Sequence, residues 1–317
     1  MKRATMVSLV EEYLVTRRNL GFALEVEGQQ LMRFARYADR AGHRGPLTIE
    51  LAVRWALLGR DRGCIAAGRR LDAVRRFAKH RWLLDARTQV PPEGLLGQSY
   101  RRRPTPHIYS DGELASLLKA ASALGPPRGL RPRTYVTLLG LLAATGLRIS
   151  EALRLTRKDV DLDSGMLTVV QTKFQKSRLV PLHPTTTRAL RRYALARDRR
   201  HPRVSRAMAF FLTERGTSLK YWRTLMTFTA LRTQLGWTGP RGQRPRLHDL
   251  RHTFAVRRLI RWHRRGVDLH HRIAALSTYL GHVKVTDTYW YLTAVPELLA
   301  ITGRQYERFA FDSQRGI

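Results

Sequence analysis

The segment LGHVKVTDTYWYLTAV, residues 280–295, contains one histidine and two tyrosines, and the fold assignment depends on what these residues do. His282 lies nine residues before Tyr291, and Tyr289 lies two residues before Tyr291. Aromatic residues at such a spacing usually belong to a hydrophobic core, although a tyrosine in a basic environment can also act as a nucleophile. The segment leaves both interpretations open until the rest of the chain is considered.

The composition of the chain favours a nucleic acid as its partner. The chain has 58 Lys and Arg residues against 24 Asp and Glu, which gives a formal net charge of +34. Such a chain repels itself unless a polyanion neutralises it. Most of the basic residues are arginines, whose planar guanidinium group suits bidentate contacts with phosphate. A GC-rich genome would also enrich arginine.

Length and residue usage define the broad class. With 317 residues and 43% hydrophobic content, the chain can form two domains of ordinary size. Cys64 is the single cysteine, which excludes an internal disulfide and a cysteine-rich zinc site. Glu11 and Glu12 interrupt the first apolar run, and no stretch approaches the roughly 18 apolar residues of a membrane span. These features predict a cytoplasmic, nucleoid-associated protein without a membrane partner.

The amino-terminal part has the apolar spacing of amphipathic helices. Segments 5–18, 26–41 and, after a cap at Thr48, 49–59 predict a compact all-helical unit over residues 1–97. A further helix is predicted in RLDAVRRFAKHRWLL, with an apolar face of Leu71, Val74, Phe77, Ala78 and Trp82. Its cationic face would consist of Arg75, Arg76, Lys79 and Arg81.

A segment without periodicity separates this unit from a second one. It contains prolines, glycines and an Arg triplet, and we take 98–107 as a linker before a domain at 108–317. Ser110 and Glu113 have the spacing of a capping box, and TYVTLLGLLAATG predicts a buried helix that ends at Gly146. MLTVVQT and SRLVPLH predict a hairpin joined by KFQK, and further helices are predicted over 219–235, 247–262 and 270–280.

Two further fragments place basic residues where they can meet His282. In RLHDLRHTFA, His248 and Arg251 are three residues apart on one predicted helix, which Leu247, Leu250 and Phe254 would anchor. In ATGLRISEAL, Arg148 follows the helix-breaking glycine and precedes Ser150, a candidate N-cap with Glu151 in the first turn.

Arginines, histidines, a hairpin lysine and a tyrosine together suit one reaction, the in-line attack of a phenol on a DNA phosphodiester. Guanidinium groups can stabilise the negative charge of the transition state, and a lysine can protonate the leaving oxygen. Either a neighbouring histidine or the positive field of the arginines can assist loss of the phenolic proton. The sequence has neither a carboxylate cluster for a two-metal nuclease nor a Gly-rich P-loop. A covalent route without metal or cofactor is therefore expected.

ATGLRISEALRL, HDLRHTFA and LGHVKVTDTYWY, in this order, resemble the tyrosine recombinases, the family of phage-type integrases and Xer-like recombinases. The resemblance implies a mostly α fold with a small antiparallel β-sheet. It also implies a helical, SAM-like core-binding domain over 1–97 and a catalytic domain with a carboxyl-terminal tail over 108–317. Matched by motif, the catalytic residues are Arg148, Lys173, His248, Arg251, His282 and Tyr291, and Tyr289 would be a packing neighbour.

The lysine position departs from the family pattern. Family members often carry glycines around this lysine, in a G-K-G-x-K-x-R turn, whereas here the segment is TKFQKSR. Alignment on the following RLVPL favours Lys173 as the general acid, with Lys176 as the alternative.

The resemblance implies a site-specific DNA recombinase that forms a 3′-phosphotyrosine intermediate, for integration, excision or transposition of a mobile element. Its partners would be double-stranded DNA, three further copies of itself in a tetramer on two sites, and accessory DNA-bending or partner recombinase proteins in some systems. A type IB topoisomerase would use the same residues, but the tail AVPELLAITGRQYERFAF favours a ring of protomers. A non-catalytic basic nucleic-acid-binding protein is a third interpretation, disfavoured because every catalytic position is filled.

Overall fold

The chain divides into two compact units, Met1–Arg103 and Pro104–Ile317. The computed structural model describes residues 5–58, 64–97, 105–170, 177–202, 205, 208–238, 244–282 and 284–294. The division lies within the predicted linker, of which residues 98–104 are outside the described part. The predicted roles of the two units, core binding and catalysis, stay predictions.

The described residues of the amino-terminal unit form helices α1 Met6–Asn19, α2 Glu25–Arg40, α3 Ile49–Leu57 and α4 Cys64–Trp82. The predicted cap is confirmed, since the Thr48 side chain accepts a hydrogen bond from the backbone N–H of Leu51. Phe34 and Trp55 pack edge to face in the core. Aromatic side chains of this size bury a large apolar area, so this pair contributes strongly to the core of the unit.

Two residues of α4 differ from the prediction. Arg75, expected on the cationic face, is buried, and it forms ion pairs with Asp72 and, at 3.1 Å, with Glu93. Trp82, expected on the apolar face, is 52% exposed because it is the last residue of the helix, beyond the packed part. The other predicted apolar positions, Leu71, Val74, Phe77 and Ala78, are buried.

The carboxyl-terminal unit is mostly helical with a small antiparallel sheet, which confirms the predicted fold class. Its order is α5 Asp111–Ser122, α6 Leu130–Thr145, α7 Ile149–Arg154, β1 Val160–Asp161, β2 Met166–Val170, β3 Ser177–Pro181, α8 Pro184–Arg200, α9 Tyr221–Gln234, α10 Asp249–Arg264, α11 Leu269–Leu280 and α12 Thr286–Ala294. The strands have the order β1-β2-β3, and the β2–β3 register runs from Met166 opposite Pro181 to Val170 opposite Ser177.

The hairpin strands are confirmed, while its connection, residues 171–176, lies outside the described part. The short strand β1 and helix α8 were not predicted. Pro184 at the start of α8 is a helix-start signal that was present in the sequence.

Helix α6 is the centre of this core, as predicted. Leu138, Leu139, Leu141 and Leu142 are buried in it. The helix ends at Gly146, which adopts a left-handed conformation with φ of 65°. The capping box of Ser110 and Glu113 is also confirmed at the start of α5. No helix in the described part of the chain is long and apolar enough to cross a membrane.

The predicted cap at Ser150 is wrong. Helix α7 starts two residues earlier than this cap predicts, at Ile149, with Arg148 at the cap position. The Glu151 carboxylate accepts a hydrogen bond from the Arg148 backbone N–H at 2.9 Å. This contact satisfies a donor that the helix itself cannot pair.

Candidate active site

Two of the predicted arginines meet at the end of α11. Arg251, on α10, donates from Nη2 to the carbonyl oxygen of Leu280 at 2.6 Å and from Nη1 to that of Gly146 at 2.8 Å. Arg148 donates from Nη2 to the carbonyl oxygen of Gly281 at 2.9 Å. The two guanidinium groups therefore bind consecutive carbonyls of the turn that leads to His282 and α12.

A buried carboxylate holds Arg148 in this position. Arg148 Nη1 lies 2.9 Å from Glu151 Oε1, and Arg178 Nη2, on β3, lies 2.8 Å from Glu151 Oε2. Burial raises the pKa of Glu151, but hydrogen bonds and charge from Arg178 and Arg148 outweigh this effect, so that the pKa is lowered. Glu151 is thus ionised at neutral pH. It links the hairpin to the arginine pair.

Arg178 also ties the sheet to α11. Its Nε donates to the carbonyl oxygen of Tyr279 at 2.8 Å, one residue before the carbonyl that Arg251 binds. The end of α11 therefore receives guanidinium groups from three different elements, at Tyr279, Leu280 and Gly281. Such contacts satisfy carbonyls that a helix terminus leaves unpaired.

The predicted histidines lie close enough to Arg251 and Arg148 for the charges of these arginines to act on both rings. His248 is the cap residue of α10, and not a residue of its first turn. His282 Nδ1 lies 2.7 Å from the Thr288 hydroxyl. Loss of hydration lowers the pKa of each histidine to about 4, and the charge of Arg251 adds to this effect. Both rings are neutral at pH 7.

Tyr291 lies beside the ring of His282 and is buried, whereas Tyr289 is exposed. Tyr291 is only 2% exposed, and its ring stacks near that of His282 with the centroids 6.3 Å apart. Its hydroxyl lies 3.1 Å from Nδ1 of His252. Tyr289, predicted to pack, is instead 41% exposed. The two tyrosines are two residues apart on α12, so their side chains point in different directions, one into the core and the other towards solvent.

The structure brings together five of the six predicted site residues, Arg148, His248, Arg251, His282 and Tyr291. Lys173 and its alternative Lys176 are outside the described residues. Leu247, Leu250 and Phe254 are buried as predicted. The sequence reasoning missed the roles of Glu151, Arg178 and His252 in the site. Each lies within four residues of a motif position or at the hairpin, but spacing did not reveal what its side chain contacts.

Comparison with known proteins decides the family. The model of the "Phage integrase family" matches residues 110–297. A chain from Sinorhizobium fredii, "Putative integrase/recombinase y4rB", is 42% identical over 312 residues, which cover 96% of this chain and 98% of that one. The chain belongs to the phage integrase family. Its members are tyrosine recombinases, and this chain is a site-specific DNA recombinase.

More distant relatives of this recombinase agree with that assignment. The tyrosine recombinase XerD of Ralstonia nicotianae is 28% identical over 264 residues, which cover 81% of this chain and 78% of that one. The Tn1549 transposon integrase, solved in complex with transposon right-end DNA, has a TM-score of 0.70 at 18% identity and covers 97% of this chain. This second similarity is one of fold.

Proposed function

We propose that this recombinase cleaves DNA one strand at a time, by attack of the Tyr291 hydroxyl on a phosphodiester. The products of this step would be a 3′-phosphotyrosine bond and a free 5′ hydroxyl. One observation carries the proposal: Arg148 and Arg251 bind consecutive carbonyls at the turn before α12, the helix that presents Tyr291. Two fixed positive charges therefore bind the turn that precedes the helix of the proposed nucleophile.

The arginines have the properties that phosphoryl transfer requires. Negative charge spreads over the non-bridging oxygens in the transition state, and preorganised guanidinium groups stabilise it without reorganising. Glu151 holds Arg148 from the side, so the group is positioned before DNA arrives. The neutral rings of His248 and His282 would donate hydrogen bonds to the same phosphate. The proposed route uses no metal and no cofactor.

The leaving 5′ oxygen needs a proton, and we assign its donor to Lys173. The hairpin strands support a donor from this segment, since Arg178 follows it on β3 and binds Glu151 beside Arg148. Lys176 stays the alternative. Because both lysines lie outside the described residues, the assignment rests on sequence alignment.

We further propose that recombination occurs in a tetramer, with a dimer on each of two DNA sites and exchange through a four-way junction. The process would be integration, excision or transposition of a mobile element, assisted in some systems by accessory proteins. The relative named "Putative integrase/recombinase y4rB", aligned over 98% of its length, supports recombination over topoisomerase-like relaxation. DNA as substrate also favours association with the nucleoid.

The test compares Tyr291→Phe with Tyr289→Phe on a nicked suicide substrate. Tyr291→Phe removes the attacking oxygen but keeps the buried ring, so we expect normal DNA binding and no covalent adduct on a denaturing gel. Tyr289→Phe, at an exposed position of the same helix, should form the adduct. An adduct from Tyr291→Phe would disprove the assignment, and the absence of any adduct from the wild type would favour a non-catalytic DNA-binding protein.

A further inference from the structure

We propose that His252 holds the hydroxyl of Tyr291 through Nδ1 and accepts its proton when that hydroxyl attacks DNA. The inference rests on the proposed function, in which Tyr291 is the nucleophile. It concerns a residue outside the set predicted from the motifs. The motif histidine His248 lies one helical turn earlier.

The geometry singles out His252 among the histidines of the site. Its Nδ1 lies 3.1 Å from the Tyr291 hydroxyl oxygen, which is hydrogen-bonding distance. His282 meets Tyr291 as a stacked ring, and its own Nδ1 faces the hydroxyl of Thr288. A general base must reach the proton that it removes, and Nδ1 of His252 lies close enough to the Tyr291 hydroxyl to do so.

Ring contacts hold His252 in this orientation. Its ring meets that of His248 edge to face with the centroids 4.7 Å apart. On α12, the ring of Trp290, the residue next to the proposed nucleophile, has its centroid 5.5 Å from that of the His252 ring. His252 follows Arg251 directly on α10, so one short segment positions both the phosphate-binding cation and the partner of the phenol.

The protonation state fits a proton acceptor. Burial lowers the pKa of His252 to about 3. The groups that face it also lower this pKa: Arg246 and Arg251 through their positive charge, and the neutral rings of His248 and His282 through the repulsion that would arise if they were protonated together with His252. The ring is therefore neutral at pH 7 and carries one N–H and one lone pair. In the proposed arrangement the phenol donates to Nδ1, which requires the tautomer with its hydrogen on Nε2.

Substrate binding would make this histidine more basic. A phosphodiester bound at Arg148 and Arg251 brings negative charge next to Arg251, whose positive charge is one cause of the lowered pKa of His252. A nearby negative charge favours the protonated form of a histidine. Tyr291 would thus keep its proton until a phosphodiester is bound, and it would become a nucleophile only then.

The step balances as follows. The bond from the Tyr291 oxygen to phosphorus forms while the phenolic proton moves to Nδ1 of His252. The bond from phosphorus to the 5′ oxygen breaks, and that oxygen takes a proton from the general acid proposed above. In rejoining, the 5′ hydroxyl returns its proton to that acid, and His252 returns a proton to the departing tyrosine oxygen.

The first test uses His252→Asn and His252→Ala in single-turnover cleavage at saturating DNA. Asparagine can place an amide oxygen near the Nδ1 position and so accept the phenolic hydrogen bond, but it does not take up the proton. We expect both variants to cleave about 10²–10⁴-fold more slowly than the wild type. Asparagine with a near-normal rate would overturn proton acceptance. His263→Asn, further along α10, is the matched control and should cleave normally.

The second test separates the nucleophile from the leaving group. Difluorotyrosine at position 291 has a more acidic phenol, so it should partly restore cleavage by His252→Ala. A 5′-bridging phosphorothiolate, whose thiolate leaves without a proton, should not restore it. Rescue by the phosphorothiolate, or no rescue by difluorotyrosine, would overturn the proposal. If the wild-type adduct maps to Tyr291 and the His252 variants cleave normally, only this inference fails, whereas an adduct at another residue would disprove the proposed function itself.

Discussion

Two arginines of the carboxyl-terminal unit are equally buried but have different partners. Arg197, on α8, and Arg251, on α10, are each 2% exposed. Arg197 binds the Asp198 carboxylate at 2.8 Å and the carbonyl oxygen of Phe210 at 2.9 Å, and it lies over the Phe210 ring. Arg251 binds two carbonyl oxygens, and within the described residues it forms no ion pair with a carboxylate.

The difference indicates what each charge is for. A buried guanidinium group with a carboxylate partner is neutralised by the protein itself. The carbonyl oxygens of Gly146 and Leu280 accept hydrogen bonds from Arg251 but bring no full negative charge. The Glu151 carboxylate also acts on the charge of Arg251, but it is hydrogen-bonded to Arg148 and Arg178 instead. Burial lowers the pKa of Arg251 to about 10, and the charge of Arg148 adds to this effect, yet the group is still ionised at pH 7. We infer that the missing anion is the DNA phosphate.

The largest expected difference between the two arginines is in cleavage. Arg251→Met should slow single-turnover cleavage by about 10²–10³-fold or more, because a preorganised donor to the transition state is lost. Arg197→Met should leave the rate per folded molecule within a few-fold of the wild type. The measurement is adduct formation on a suicide substrate, normalised to the folded fraction. Equal losses of cleavage rate in both variants would contradict the proposed difference in role between the two arginines.

Stability should change in the opposite order. Arg197→Met leaves the buried carbonyl of Phe210 without its donor, which costs about 1–3 kcal/mol of unfolding free energy. Arg251→Met also leaves carbonyls unpaired, but it removes a desolvated charge without a carboxylate partner, which offsets that cost. We therefore expect the lower urea midpoint for Arg197→Met. A lower midpoint for Arg251→Met would contradict the interpretation that the buried charge of Arg251 destabilises the folded state.

The smallest effect concerns pH. Burial and nearby positive charge hold the pKa of His252 at about 3 and that of His282 at about 4, against about 6.5 in an unfolded chain. Between these pKa values the unfolded chain binds more protons than the folded one. The free energy of unfolding therefore has its full value above about pH 6.5 and decreases as the pH falls towards 4. Arg251 contributes to both lowered pKa values, so Arg251→Met should lose less stability in acid than Arg197→Met. Thermal midpoints between pH 7.5 and 4.5 measure this, and parallel curves would argue against it.

The elements that were predicted correctly depend on local signals. Thr48, Ser110 with Glu113, and Gly146 mark helix ends through contacts within a few residues, and all three are confirmed. The hairpin strands followed from β-rich runs. Arg75 was placed wrongly because helical spacing does not show which charged side chains are buried with ion-pair partners, here Asp72 on the same helix and Glu93 beyond it. Trp82 was placed wrongly because periodicity does not say where packing ends.

The site could be predicted as a set of residues but not as a geometry. The motifs supplied Arg148, His248, Arg251, His282 and Tyr291, and these lie together in the structure, while their chemical roles stay proposals. No spacing rule joins Glu151 to Arg178 or His252 to Tyr291, because these pairs are 27 and 39 residues apart and meet only through the fold. Tyr289 and Tyr291 differ in exposure for the same reason.

Gly146 limits how this protein can evolve. A Cβ atom at this position would lie 2.5 Å from Cδ1 of Phe254 and 3.3 Å from Cδ2 of Leu280, and the left-handed backbone disfavours any side chain. Every amino acid reachable by one nucleotide change in a glycine codon carries a Cβ atom. A lineage could replace this glycine only by changing residue 254 as well and accepting the backbone strain. Variation among descendants should therefore accumulate on outer helix faces, such as that of α9, while this position stays unchanged.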